Sequence, residues 1–169
     1  SSPPSSPQAF LTNLFIAQGG EAYMIKLRGQ QAVNLVLKGR PKLRPIQWLS
    51  DSFNFVGFHV SNLSPPTVGA FFAPSAAHAG QAVYRLAAAG QWQRVSNPAT
   101  TLMRPGEAFW VYCNGQSAYQ GLLSVVFDGG DGLDYGRILM EQTLRIKNAS
   151  ASNRTVTLQQ RNSDPSAST

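Results

Sequence analysis

GEAFWVYCNGQSA, at residues 106–118, and GEAYMIKLRGQQA, at residues 20–32, align without a gap. Each copy alternates along its length and then reaches a glycine, which predicts a strand closed by a turn. A unit this short cannot bury its apolar face alone and has to stack on further structure. The repeat therefore predicts a modular β protein in which the two copies share one apolar interior.

Both copies extend into a predicted hairpin. Residues 22–28 would pair with residues 33–37, and residues 108–113 with residues 118–126. Because side chains alternate between the two faces of a strand, each copy directs one set inward. The inward sets are Tyr23, Ile25 and Leu27 in the first copy, and Phe109, Val111 and Cys113 in the second.

Between the copies, the sequence predicts further strands and little helix. Residues 48–60 favour a strand, and residues 83–86 and 91–95 favour a hairpin around a glycine turn. A short helix is expected only within residues 65–79. Trp48 and Trp92 are predicted to lie in the core.

Composition shifts along the chain predict its domain organisation. Residues 1–9 form a Ser/Pro linker, residues 10–126 a β domain with the repeated hairpin, and residues 127–136 a Gly/Asp connector. Residues 137–161 are expected to form a β-hairpin of a second unit, in which 137–147 pairs with 155–159, and residues 162–169 form another linker. The predicted fold is mainly β: an antiparallel β-sandwich or compact barrel with an internal hairpin repeat, plus a C-terminal β-hairpin of Ig-like character.

Short motifs carry a resemblance to known proteins. Three groups follow one another in the chain: Trp48 with Asn54-Phe55-Val56-Gly57, then Tyr84-Arg85-Leu86 with Gly90-Gln91-Trp92, then Pro105-Gly106-Glu107-Ala108-Phe109-Trp110-Val111. In this order they resemble β domains of large secreted or surface-anchored prokaryotic proteins, over about residues 48–124. The resemblance implies extracellular display, adhesion or scaffolding, and it implies no catalytic residue. With Ser/Pro spacers at both ends, we expect one domain from a longer secreted or cell-surface protein.

The charge pattern indicates which kinds of binding partner to expect. Only 13% of residues are charged, and the net charge is +6. The cluster of Lys38, Arg40, Lys42 and Arg44 suits a polyanion such as an anionic glycan, and a solvated basic loop is the alternative. The cluster has no interleaved aromatic residues for stacking bases, so we do not expect nucleic acid. With one cysteine, the chain can form no internal disulfide, and without a long apolar run it predicts no membrane insertion.

Aromatic residues supply the first candidate binding site. If Phe109, Val111 and Cys113 face inward, then Trp110 and Tyr112 lie on the opposite face of the same strand. Together with Tyr119 they would form a flat platform on which sugar rings stack. The alternative is that a second sheet or the segment 65–79 covers them.

A calcium site is the second candidate. Residues 129–134, GGDGLD, match the beginning of a calcium-binding nonapeptide, with Asp128, Asp131 and Asp134 as its carboxylate ligands. A single copy also fits an interdomain turn. Calcium is thus the one metal that the sequence suggests, and no organic cofactor is predicted.

Catalytic motifs are absent from the sequence, so we expect no enzyme. Glu21 and Glu107 hold equivalent places in the two copies, and such a pair of carboxylates can serve glycoside hydrolysis as acid and base. Their placement after a glycine turn instead favours a structural role, in which they accept hydrogen bonds from backbone N–H groups at a strand start. With one cysteine and two well-separated histidines, His59 and His78, a zinc site lacks ligands unless carboxylates supply most of them. For a hydrolase triad, His59 would need Asp51 and Ser52 from its own strand. The expected function is a non-catalytic module in adhesion, surface structure or strand-mediated assembly with neighbouring copies or domains. The alternative is a carbohydrate- or polyanion-binding module.

Overall fold

A computed structural model describes residues 21–25, 45–88, 90–127, 137–138 and 140–159. These residues form mainly strands, as predicted from the sequence, with a single short helix among them. In chain order the elements are β1 (Ser52–Gly57), α1 (Val68–Phe72), β2 (Val83–Leu86), β3 (Trp92–Arg94), β4 (Ala108–Cys113), β5 (Leu123–Phe127) and β6 (Leu144–Asn148).

The strands form one four-stranded and one two-stranded antiparallel sheet. The larger sheet has the order β1-β4-β2-β3, and the smaller pairs β5 with β6. β4 belongs to the repeat copy at 106–118. It lies between β1 and β2, where both of its edges are hydrogen-bonded. The sequence repeat thus supplies a central strand of the sheet, consistent with its strong alternation.

One face of the larger sheet forms the core. Phe109, Val111 and Cys113 are buried as the alternation predicted. Val56 from β1 and Val83 from β2 join them on the same face. The other buried hydrophobic residues pack over this face: Phe58, Val60, Val68, Phe71, Phe72, Val95 and Met103.

Helix α1 covers this face, and it lies within the segment predicted to be helical. Thr67 caps it by accepting a hydrogen bond from the Ala70 N–H through its Oγ1 at 3.2 Å. Val68, Phe71 and Phe72 recur at helical spacing, so all three point into the core. Gly69 is needed because its N–H bonds to the Pro98 carbonyl at 2.8 Å, and a Cβ would approach that oxygen to 3.2 Å.

The hairpin of β2 and β3 confirms the sequence prediction for this segment. Tyr84 pairs with Arg94 and Leu86 with Trp92. Gly90 has a φ of 79° in the connecting turn, a conformation that glycine adopts without strain.

The predicted pairing of 108–113 with 118–126 is wrong. β4 pairs with β1 and β2 instead, because the chain leaves the sheet after Cys113 and runs back across the core. Its hydrogen bonds go to residues distant in sequence. Gly115 N–H donates to Asp51 Oδ1 at 2.8 Å, and Trp48 Nε1 donates to the Tyr119 carbonyl at 2.6 Å.

The predicted pairing of 137–147 with 155–159 is wrong as well. β6 pairs with β5, with Val125 opposite Ile146 and Phe127 opposite Leu144. Residues 151–159 are exposed and belong to no strand. The Asn148 side chain organises the chain after β6, where its Nδ2 donates to the Ser152 carbonyl at 2.9 Å.

Of the first repeat copy, the structure describes residues 21–25. Glu21 forms an isolated antiparallel bridge with Val56, and Tyr23 is half-buried. Ile25 is 59% exposed, so its predicted inward orientation is wrong. Leu27 and residues 33–37 lie outside the described part of the chain.

Candidate functional site

The face of the larger sheet opposite the core is lined with aromatic side chains. Trp110 and Tyr112 of β4 lie there, as the alternation predicted, and both are half-buried. The strand register places Phe53 opposite Tyr112, and Phe55 opposite Trp110. β2 and β3 extend the same row. We call this surface the aromatic face: Phe53, Phe55, Tyr84, Trp92, Trp110 and Tyr112.

The rings of the aromatic face group into two clusters. In the tryptophan cluster, Phe55 lies 4.9 Å from Trp110 and 5.5 Å from Trp92, measured between ring centroids. In the tyrosine cluster, Phe53 lies 5.6 Å from Tyr84 and 5.2 Å from Tyr112. Most of these pairs meet edge to face, with interplanar angles of 69° to 87°. The surface is therefore ridged, unlike the flat platform expected from the sequence.

Tyr119 lies apart from Trp110 and Tyr112. It packs on the core side of the sheet, with its ring centroid 5.9 Å from Phe71, and its hydroxyl donates to the Phe71 carbonyl. Burial raises the pKa of the Tyr119 hydroxyl above its usual value. Trp92 lies on the aromatic face, so the core position predicted for it is wrong. Trp48, which was also predicted to lie in the core, does pack against it.

The aromatic face carries hydrogen-bond donors that no described residue uses. Trp92, Trp110, Tyr84 and Tyr112 make no side-chain hydrogen bond to any described residue, and their polar atoms reach water. Arg94 lies on the same face opposite Tyr84. The strands of this face contribute no carboxylate and no side-chain amide to it.

A concave slot adjoins the tryptophan cluster. Its volume is about 350 Å³, and its walls include Phe55, Leu86, Trp92 and the segment 23–25. A larger cavity of about 1370 Å³ is bordered by Phe58, Phe71 and Val125 among others, and it shares Tyr23 and Glu107 with the walls of the slot. The slot gives the aromatic face a recess at one end.

Glu107 is held in place by hydrogen bonds. Its Oε1 accepts bonds from Arg85 Nε at 2.8 Å and from Arg85 Nη2 at 2.5 Å. Its Oε2 accepts the backbone N–H of Arg104 at 3.3 Å, just before β4 begins. This contact matches the structural role predicted for the repeated glutamates. Glu21, its counterpart, is exposed and borders the larger cavity, as does Glu107.

His78 is buried among aromatic rings. Its ring centroid lies 4.1 Å from that of Trp48 and 5.6 Å from that of Phe72. Nδ1 bonds to Ser75 Oγ at 2.7 Å, but Nε2 is buried with no hydrogen-bond partner among the described residues. Protonation would place a charge and a second donor where nothing accepts it, so burial lowers the pKa of His78.

We expect His78 to make the fold sensitive to acid. Because its pKa is lower in the folded protein than the usual 6.5 of the unfolded chain, the unfolded state binds the proton first as the pH falls. The free energy of unfolding should thus be fully retained above about pH 6.5 and decrease below it, by at most about 1.4 kcal/mol per pH unit from this group. Urea denaturation at a series of pH values measures the decrease.

The matched variants are His78→Phe, which keeps a ring in the site, and His59→Gln, which alters the exposed histidine. The first should flatten the dependence on pH between about pH 7 and pH 5, and the second should leave it unchanged. An equal slope in His78→Phe and in the unsubstituted chain would contradict the assignment.

The remaining candidates are structural or lie outside the described residues. Cys113 is buried, and desolvation, with a smaller contribution from Asp51, raises its pKa and keeps the thiol protonated. In the described ranges no three His, Cys, Asp or Glu side chains are grouped so as to hold a metal ion. Two sets of predicted residues lie outside those ranges: Lys38, Arg40, Lys42 and Arg44, and Asp128, Asp131 and Asp134.

The fold and the aromatic face define the class of this chain as a mainly β protein with a partly exposed aromatic sheet face. The chain matches no protein-family model, no curated protein and no solved structure. Within the described residues, no helix has the length and apolar character to span a membrane.

Proposed function

We propose that this chain is a non-catalytic module of a secreted or cell-surface protein, and that it acts in adhesion, surface structure or assembly through the aromatic face. The observation that carries the proposal is the row of partly exposed aromatic rings on the sheet face opposite the core. Grouped exposed apolar side chains mark interaction surfaces, and tryptophan and tyrosine dominate the binding energy of such surfaces.

The sequence supports the same proposal. Its motifs resemble β domains of secreted and surface-anchored proteins, and its low charge leaves a polar, uncharged surface. The Glu107 carboxylate accepts hydrogen bonds from Arg85 and from a backbone N–H. Its contacts favour a structural role over acid-base chemistry.

Adhesion by coated beads tests the proposal. Beads that carry the full chain should either cluster with one another or be retained on surfaces coated with polysaccharides. Trp110→Ser should reduce that adhesion about tenfold or more, because it removes a ring that contacts both Phe55 and Trp92. Beads that show neither behaviour would contradict the proposal.

Two control variants separate the routes of adhesion. Val126→Ser changes an exposed apolar residue of β5, away from the aromatic face, and should leave adhesion intact. Val156→Asp tests assembly by strand addition, which is favoured by the exposed apolar side chains that follow β6, Val156 and Leu158. If Val156→Asp abolishes adhesion and Trp110→Ser does not, assembly runs through the strands.

A carbohydrate-binding module is the second candidate. The aromatic rings of this face favour it, since sugar C–H faces pack on aromatic rings. Retention on a polysaccharide surface without clustering between beads is the result that supports it. The basic residues at 38–44 would add affinity for anionic polymers.

A further inference from the structure

We infer that the aromatic face binds a proline-rich segment in the polyproline II conformation, and that the occupant is the Ser/Pro segment of a second copy of this chain. The inference rests on the proposed function and names its partner. It follows from the hydrogen-bonding character of the aromatic face, from its ridged shape and from a sequence within the chain itself.

The first step is the balance of donors and acceptors. Trp92, Trp110 and Arg94 can only donate hydrogen bonds, and the tyrosine hydroxyls can do either. The strands place no carboxylate or side-chain amide on this face. A ligand that matches it therefore presents acceptors and few donors.

A proline-rich segment has that character. In polyproline II the backbone makes no internal hydrogen bonds, so its carbonyl groups are free to accept, and each proline lacks an N–H. A sugar chain presents hydroxyl donors together with its acceptors, and most of those donors would lose their partners in water on this face. The donor excess thus favours the peptide over the sugar.

The second step is shape. Edge-to-face rings form ridges with slots between them, into which a proline ring fits, whereas a sugar ring stacks best on a flat surface. The two clusters are two residues apart on β1 and on β4, which separates them by about 7 Å along the strands. Prolines three residues apart in polyproline II lie on the same side, about 9 Å apart. A segment that crosses the strands obliquely can place one proline at each cluster.

The third step is the occupant. Residues 3–7 read PPSSP, so Pro4 and Pro7 have the required spacing of three residues. The segment carries no charge, and the strands place a single charged residue, Arg94, on the aromatic face. Binding of the segment therefore does not depend on an ion pair. When the segment of one copy occupies the face of the next, the contact is heterologous and can propagate into a chain of modules.

Sedimentation of the full chain tests the inference. We expect its weight-average mass to rise with concentration, and the rise to be lost in the double variant Pro4→Ala, Pro7→Ala. These substitutions change no residue of the aromatic face. A chain that stays monomeric at every concentration would overturn the assignment to a second copy.

Titration with a synthetic peptide of residues 1–9 gives a second measurement. The peptide should change the tryptophan fluorescence of the Pro4→Ala, Pro7→Ala chain, and a peptide with alanine at positions 3, 4 and 7 should bind at least about tenfold more weakly. Trp92→Leu and Trp110→Leu should each weaken binding by a similar factor, and urea denaturation confirms that each variant is folded. Equal binding of both peptides, or displacement by a neutral hexasaccharide, would overturn the inference.

The outcome distinguishes this inference from the proposed function. If bead adhesion requires Trp110 but survives Pro4→Ala, Pro7→Ala, the aromatic face mediates adhesion and the proline segment is not its partner. If neither change affects adhesion, both proposals fail.

Discussion

Phe109→Ala is expected to remove about 3 to 5 kcal/mol from the free energy of unfolding. Phe109 is 1% exposed and lies on β4, between Val56 of β1 and Arg85 of β2 in the strand register. Its ring also packs against that of Phe58, with 6.3 Å between the ring centroids. Alanine leaves a cavity that the flanking strands cannot close, since both are hydrogen-bonded to β4.

Urea denaturation followed by tryptophan fluorescence measures this loss. Phe109→Leu is the milder companion, expected to lose about 1 to 2 kcal/mol, and it keeps the measurement possible if the alanine variant does not fold. Phe53→Ala is the control, because Phe53 is 40% exposed on the aromatic face and should lose only about 1 kcal/mol. Equal losses for Phe109→Ala and Phe53→Ala would contradict the assignment of the two faces.

Arg85→Met should destabilise the protein by about 2 to 3 kcal/mol, because it leaves the Glu107 carboxylate partly buried without its charged partner. The side chains of Arg85 and Glu107 are only 20% and 14% exposed, so water compensates poorly. Methionine keeps the length of the apolar stem, so the loss reports the missing ion pair more than missing packing.

A double-mutant cycle isolates this pair. Glu107→Gln should be destabilising by itself, and the variant with both changes should be less destabilised than the sum of the two single variants. Arg104→Met is the matched control: it lies on the exposed surface next to Glu107, and only its backbone N–H bonds to that residue. Additive effects of Arg85→Met and Glu107→Gln would show that the pair is not coupled.

Strand β1 shows how far sequence patterns reach. Alternation in SFNFVG separates Phe53 and Phe55 from Asn54 and Val56, but it does not state which set faces the core. Hydrophobicity favours the phenylalanines, yet Asn54 is buried instead. Its amide is satisfied by the backbone of Leu49, with bonds of 2.8 Å from Leu49 N–H and 3.0 Å to the Leu49 carbonyl. Phe53 and Phe55 therefore lie on the aromatic face with Tyr84, an arrangement that alternation alone does not predict.

Tyr119 illustrates a different limit. The sequence predicts Tyr119 beside Trp110 and Tyr112, within residues 118–126 that would pair with residues 108–113. The chain instead leaves the sheet at Cys113, and Tyr119 reaches the carbonyl of Phe71 on the core side. His78 was missed as a titrating group for the same kind of reason, since its burial depends on Trp48 and Tyr119, both distant in sequence.

The sequence by itself determined the mainly β character, the inward set of β4, the hairpin of β2 and β3 and the short helix α1. Each of these depends on alternation, glycine turns or caps that act between close neighbours in the chain. Only the tertiary structure decided that β4 lies between β1 and β2, that β5 pairs with β6, and that the aromatic rings share the sheet face opposite the core. Those outcomes depend on partners as far apart as Ser52 and Cys113, whose pairing is set by packing of the whole core.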